Sequence, residues 1–151
     1  MKGWKQWSLT VAAMAAAGSL GAQEADRLPV AELGAGMYRI EAEVANTFRS
    51  RQTGLMNRSV MPLQRGMVFV FPEDATHCMW MVNTFLPLSV AFIDAGGRIL
   101  NIEDMQPQTR DSHCAAAPAR FALEMNQGWF SERGIRAGDV LRGIDRLPPA
   151  Q

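Results

Sequence analysis

From Met37 to Val44 apolar and polar residues alternate, with Tyr38, Ile40, Ala42 and Val44 on one side of an extended chain and Met37, Arg39, Glu41 and Glu43 on the other. That period of two predicts a half-buried strand. Just upstream, LPVAELGAG carries Gly34 and Gly36, which predicts a turn between this strand and an N-terminal arm or first strand within residues 23–36. Next, Asn46 or Thr47 can cap a short helix over Phe48 to Thr53, because either side-chain oxygen accepts an otherwise orphaned amide, and Gly54 is placed to end it in the left-handed region. Leu55 to Arg65 has no sustained period.

The run GMVFVF, Gly66 to Phe71, is continuously apolar and predicts a strand buried on both faces. Pro72 to Ala75 reads as a turn and Thr76 to Val82 as the next strand, with His77, Met79 and Met81 facing one way and Cys78, Trp80 and Val82 the other. Asn83-Thr84 breaks that run. Ser89 to Asp94 and Arg98 to Glu103 flank Ala95-Gly96-Gly97, the turn chemistry of a hairpin. A long polar loop follows from Asp104 to Pro118. Arg120 to Met125 alternates again, Phe121 and Leu123 against Ala122 and Glu124; Trp129 to Arg133 reads as one helical turn stopped by Gly134, and Ile135 to Ile144 leads into a closing strand. Strands outnumber helices. The expected fold is mainly β, a β-rich α+β domain, with a compact antiparallel sheet, barrel-like or sandwich, and one or two short helices. It occupies residues 37–146 as a single globular domain, and the Pro148-Pro149 tail, 147–151, is expected to fray.

The first 22 residues change the picture by placing the chain. Lys2 and Lys5 precede a mostly apolar, Ala-rich run from Trp7 to Leu20, and Leu20-Gly21-Ala22 offers a small-residue exit, so residues 1–22 are expected to be a signal peptide cleaved after Ala22. The apolar run falls short of the roughly 20 residues a membrane-spanning helix needs, so no stable membrane span is expected after its removal, and the protein is expected to be periplasmic or secreted. Both lysines leave with the leader, so thirteen arginines face fifteen acidic residues. That balance lacks the basic excess of a nucleic-acid binder. Nothing in the chain specifies an oligomeric state.

Cys78 and Cys114 are the only cysteines, and in an oxidising compartment they are expected to pair. Closing that loop would stabilise the fold by about 4 kcal/mol in the chain-entropy model. Two free thiols, or a metal or redox role, are the alternatives; the spacing is far from Cys-x-x-Cys. Each cysteine follows a histidine, and Met79 and Met81 are near, a donor set of the kind copper uses. His77 and Met81 would stand roughly 13 Å apart on one strand and cannot share an ion. His77, Met79 and His113 could, if the loop carried His113 over. The plainer reading is two surface histidines and core methionines, with no metal and no cofactor. Trp80 and Trp129 both read first as core.

Six blocks occur in order: TGLMNR (Thr53 to Arg58), GMVFVF, WMVNTFLPLSVAFID (Trp80 to Asp94), GRILNIEDMQP (Gly97 to Pro107), PARFALEM (Pro118 to Met125), and GW followed by GIRAGD. Together they resemble the domain of unknown function 192 family over about Tyr38 to Val140. The resemblance implies a small, largely β, often exported domain of uncharacterised activity. It picks out Gly54, Leu55, Met56, Arg58, Trp80, Met81, Asn83, Thr84, Pro87, Glu124, Gly138 and Asp139. Cys78 and Cys114 stand where familiar members often place other residues.

These features favour a non-catalytic binding module for a small molecule, cell-envelope fragment or partner segment, with Arg58, Trp80, Asn83, Thr84 and Glu124 framing the surface. A polar pair at a strand break, inside the most apolar part of the chain, motivates it. Two alternatives remain: a small hydrolase or lyase using Glu124 and His77, and copper or zinc handling through His77, Met79 and His113. No Ser/His/Asp set, phosphate-cradling glycine loop or zinc pattern is present.

Overall fold

The computed structural model describes residues 27–151. The expected signal peptide lies outside the described residues. Among the described residues there are nine strands: β1 (Val30–Ala35), β2 (Tyr38–Ala45), β3 (Arg65–Ala75), β4 (Cys78–Met79), β5 (Leu88–Ile93), β6 (Ile99–Met105), β7 (His113–Cys114), β8 (Ala119–Asn126) and β9 (Leu141–Arg142). One α-helix, α1 (Phe48–Thr53), joins two short 3-10 turns at Ser131–Arg133 and Ile144–Arg146. Seven strands form one sheet in the order β6-β5-β8-β3-β2-β1-β9, while β4 and β7 form a separate two-stranded ribbon. Every pairing is antiparallel except β2 with β3, which α1 connects in parallel.

The sheet curls into a half-barrel because its last segment bonds to both edges. Leu141 pairs with Ala35 of β1, and the same stretch reaches β6, where Ile99 donates to the Asp139 carbonyl at 2.8 Å and Leu141 donates to Gly97 at 2.8 Å. Curling places one apolar face inside. Leu33, Ile40, Val44, Val68, Ile93, Phe121, Leu123, Trp129 and Phe130 fill it. Arg133 lies over the Trp129 ring at 4.6 Å, a cation–π contact at the edge of that interior.

A second apolar cluster lies on the other face of the same strands. It comprises Met67, Phe69 and Phe71 from β3, Leu88, Val90 and Phe92 from β5, and Ala119 and Ala122 from β8, covered by Leu55, Met61, Met81 and Leu86 from the loops. This explains why Gly66 to Phe71 is buried without alternation: the half-barrel covers one face and the loops cover the other.

The helix obeys its sequence signals. Thr47 is the N-cap, its Oγ1 accepting from the Ser50 amide at 3.1 Å while Ser50 Oγ accepts from the Thr47 amide at 3.0 Å. Gly54 ends the helix at φ 48°, but with ψ −135° rather than in the left-handed helical well, and any β-carbon there would meet the Phe69 ring at 3.3 Å.

Four local expectations differ from the structure. Pro72 to Ala75 is not a turn: β3 continues through it to Ala75, with an irregular register between Val70 and Ala75. The strand expected over Thr76 to Val82 shrinks to Cys78–Met79, because the following chain leaves the ladder to bond with the long loop, Met81 donating to the Thr109 carbonyl and Gln108 donating to that of Thr84. The closing strand shrinks to Leu141–Arg142. Residues 147–151, expected to fray, run back over α1: Asn46 Nδ2 donates to the Pro149 carbonyl at 2.9 Å and the Gln151 amide to that of Asn46 at 2.7 Å.

Candidate functional site

Glu124 lies in the second cluster. It alternates with Leu123 and Met125, which point into the half-barrel, so its carboxyl points to the opposite face. Its cross-strand neighbours are Met67 on β3 and Val90 on β5, both fully buried. Glu124 itself is 4% exposed. Among the described residues no hydrogen bond or opposite charge supports the carboxylate, and burial alone pushes its pKa up to about 8. The group is therefore mostly a neutral carboxylic acid at pH 7.

That acid opens into a cavity of about 150 Å³. Gln52, Thr53, Gly54, Leu55 and Met56, from the end of α1 and the loop after it, make one wall; Cys78, Met79, Trp80 and Thr84 make the opposite one, and Phe69 and Phe71 contribute from the sheet. The two walls are tied together above the sheet by the Asn57 amide donating to the Asn83 carbonyl at 2.9 Å. Below them, the Cys78–Cys114 disulfide joins residues directly opposite in the β4–β7 ribbon, as expected. Arg51 also lines the cavity, but its Nη1 is spent on the carbonyls of Asn46 at 2.6 Å and Val70 at 3.1 Å.

The structure thus brings Trp80, Thr84 and Glu124 to one cavity and leaves two of the five expected site residues elsewhere. Arg58 does not frame the cavity with them, because its guanidinium grips Glu43 of β2 with two bonds of 2.6 and 2.7 Å. That hydrogen-bonded pair holds the Glu43 carboxyl below its ordinary range and the Arg58 guanidinium above its own. Asn83 sits at φ 54° and supplies its carbonyl, not its side chain, to the wall-to-wall bond; its side chain is exposed. Thr84, 5% exposed, donates to the Val82 carbonyl at 3.2 Å. Trp80 is not core: it is 54% exposed on the cavity rim, whereas Trp129 is buried.

His77, Met79 and His113, the residues of the metal alternative, lie in or beside the β4–β7 ribbon. His77 stacks on Phe71 at 3.7 Å between ring centres, and its Nε2 lies 3.0 Å from the Glu73 carbonyl, outside the cavity that holds Glu124. His113 is paired with Glu103 at 2.9 Å, and Met79 stands opposite it in the ribbon. Among the described residues no three His, Cys, Asp or Glu side chains come together as a metal site. Gln52 is a cavity residue that the sequence did not single out, and Met79 was singled out only as a candidate metal ligand. Met56 lay within the family blocks, and the Gly54 break before it was the available signal.

Fold and site together define a disulfide-tied β half-barrel with a lone buried acid under its covering loops. The chain belongs to the DUF192 family, described as an uncharacterized ACR, whose model matches residues 30–143. Among solved structures it is similar to a protein of Sinorhizobium meliloti 1021 provisionally described as a transcription regulator, at 33% identity and a TM-score of 0.71, over 76% of this chain and 92% of that one. It is also similar to a protein of unknown function from Novosphingobium aromaticivorans, at 28% identity and a TM-score of 0.73, over 76% and 86% of the two chains. No curated protein matches it.

Proposed function

We propose that this protein is an exported, non-catalytic binding domain that takes part of a small ligand into the cavity between Glu124 and Trp80. The observation that carries this reading is the Glu124 carboxyl: buried, without a protein partner, and open to a cavity. Leaving a polar group in that state costs about 1–3 kcal/mol, a cost that an apolar residue would avoid and a ligand's polar group would offset. The half-exposed indole of Trp80 supplies an anchoring surface at the mouth. Export is supported by the N-terminal sequence pattern and by the disulfide. No helix among the described residues is long and apolar enough to cross a membrane.

Trp80 also provides the test. Small acids, amides, alcohols and amines are titrated against the protein while indole emission is followed, with Trp80→Phe separating the rim signal from that of Trp129. The reading expects at least one class to shift the Trp80 signal saturably, and Glu124→Leu to abolish the shift. If every class leaves Trp80 unmoved, the cavity is not a binding site.

A further inference from the structure

The inner part of the cavity offers acceptors, while the side-chain donors Gln52 and Thr53 stand at its exposed edge. Glu124 offers a carboxyl with no counter-ion, Met56 and Met79 offer polarisable thioethers, and the Thr84 hydroxyl, having spent its proton on Val82, keeps lone pairs. Among the described residues Arg51 is the one charged side chain that shares the wall, and its Nη1 donors are committed to the Asn46 and Val70 carbonyls. The rim is an indole, the best ring for holding a cation. The neutral Glu124 acid can give an anion one hydrogen bond but no countercharge, and a neutral alcohol would leave most acceptors unmatched, whereas an ammonium can draw on all of them once the acid ionises. From this lining, and resting on the binding reading above, we infer that the ligand class is a small primary ammonium compound, whose –NH3+ group is received by Glu124 with its adjoining carbon stem against Trp80 and the two methionines.

The cavity is smaller than the several hundred Å³ of whole-ligand pockets, so it accepts the ammonium end and a short stem. Binding is coupled to a proton. The free acid carries its hydrogen at neutral pH, the incoming ammonium keeps its three, and forming the carboxylate–ammonium pair sends the carboxylic proton to solvent. Of the other elements around Glu124, β3 and β5 contribute Met67, Phe69, Phe71 and Val90, and the β4 wall contributes the disulfide-bonded Cys78, Met79 and Trp80, so among the described residues Arg51 on α1 is the only other charged group facing it from the cavity lining.

The test compares n-butylammonium chloride with n-butanol, a neutral near-isostere, by chemical-shift titration of the Met56 and Met79 methyls and by calorimetry in two buffers of different ionisation enthalpy. The expected result is at least tenfold tighter binding of butylammonium, with release of close to one proton at pH 7 and little at pH 9. Glu124→Gln should remove the preference and the proton release. Trp80→Ala, a rim change with little bearing on folding, should weaken butylammonium several-fold more than butanol. Equal binding of the two probes would overturn the ammonium assignment while leaving the binding cavity in place. If neither probe moves the methionine methyls, the assignment fails; the cavity reading fails with it only if the acids and amides also leave Trp80 unmoved.

Discussion

Leu123 and Glu124 are consecutive residues of β8, both buried, on opposite faces of the same sheet, and they do opposite things. Leu123 points into the half-barrel, where apolar side chains fill the interior and burial contributes stability. Glu124 points into the cluster beneath α1 and the β4 ribbon, where burial of its carboxyl costs stability and leaves a group with unspent bonding capacity. One face holds the fold. The other holds a feature the fold would be more stable without, which is where function is to be sought.

The sharpest way to break the comparison is to truncate each residue in turn. Leu123→Ala should cost about 2–5 kcal/mol in denaturant unfolding, since it leaves a cavity among close-packed neighbours. Replacing both Cys78 and Cys114 by Ala should cost somewhat less, about 4 kcal/mol at most, because the bridge spans a sequence separation of 36; it should also loosen the cavity wall, weakening ligand binding where Leu123→Ala does not.

Glu124→Met should act with the opposite sign, raising stability by about 1–3 kcal/mol at neutral pH. Its pH dependence identifies the cause. The folded pKa, about 8, lies above the ordinary 4.5, so between those values the native state binds the proton that the unfolded chain has lost. Stability therefore falls as pH rises across that window, by up to about 1.4 kcal/mol per unit, and levels off above it. Glu124→Gln, which cannot titrate, should lack this component, and the difference between its unfolding free energy and that of the parent, measured from pH 5 to pH 9, should carry the whole slope.

Arg58→Ala should produce the smallest effect. The Arg58–Glu43 pair is partly solvated, so its loss is expected to cost under about 1 kcal/mol at neutral pH. Because the Glu43 carboxyl is held below its ordinary range, the pair's contribution is present above the unfolded value and disappears as pH falls through the folded one. Ligand binding in the Glu124 cavity should be unchanged, which separates this conspicuous charged residue from the site it was expected to frame.

The strands of the half-barrel were legible because their signals are local. Tyr38 to Val44 alternates, the Asp94–Gly97 turn announces its hairpin, and Thr47 with Gly54 delimits α1 to the residue. Thr76 to Val82 misled for a physical reason: its apolar alternation reads as a ladder strand, yet the chain after Met79 exchanges hydrogen bonds with the irregular Gln106–Thr109 segment, which no periodicity records. Trp80 consequently ends at the surface although its residue type favours the core. Glu124 was legible as a candidate, either exposed or an inward carboxylate beside an arginine, since alternation with Leu123 and Met125 does not tell the two apart. What buries it is α1, the loop after it and the β4 ribbon, all distant in sequence. Only the folded chain brings them over β8.

The most direct test of the account is a carbon-13 NMR titration of the Glu124 side-chain carboxyl in ligand-free protein, assigned by its disappearance in Glu124→Gln. The account predicts a midpoint near 8, with the acid protonated at neutral pH. A midpoint at the ordinary 4.5 would mean that water or an unrecognised partner satisfies the carboxylate, and would contradict the claim that the fold holds this acid in reserve for a ligand.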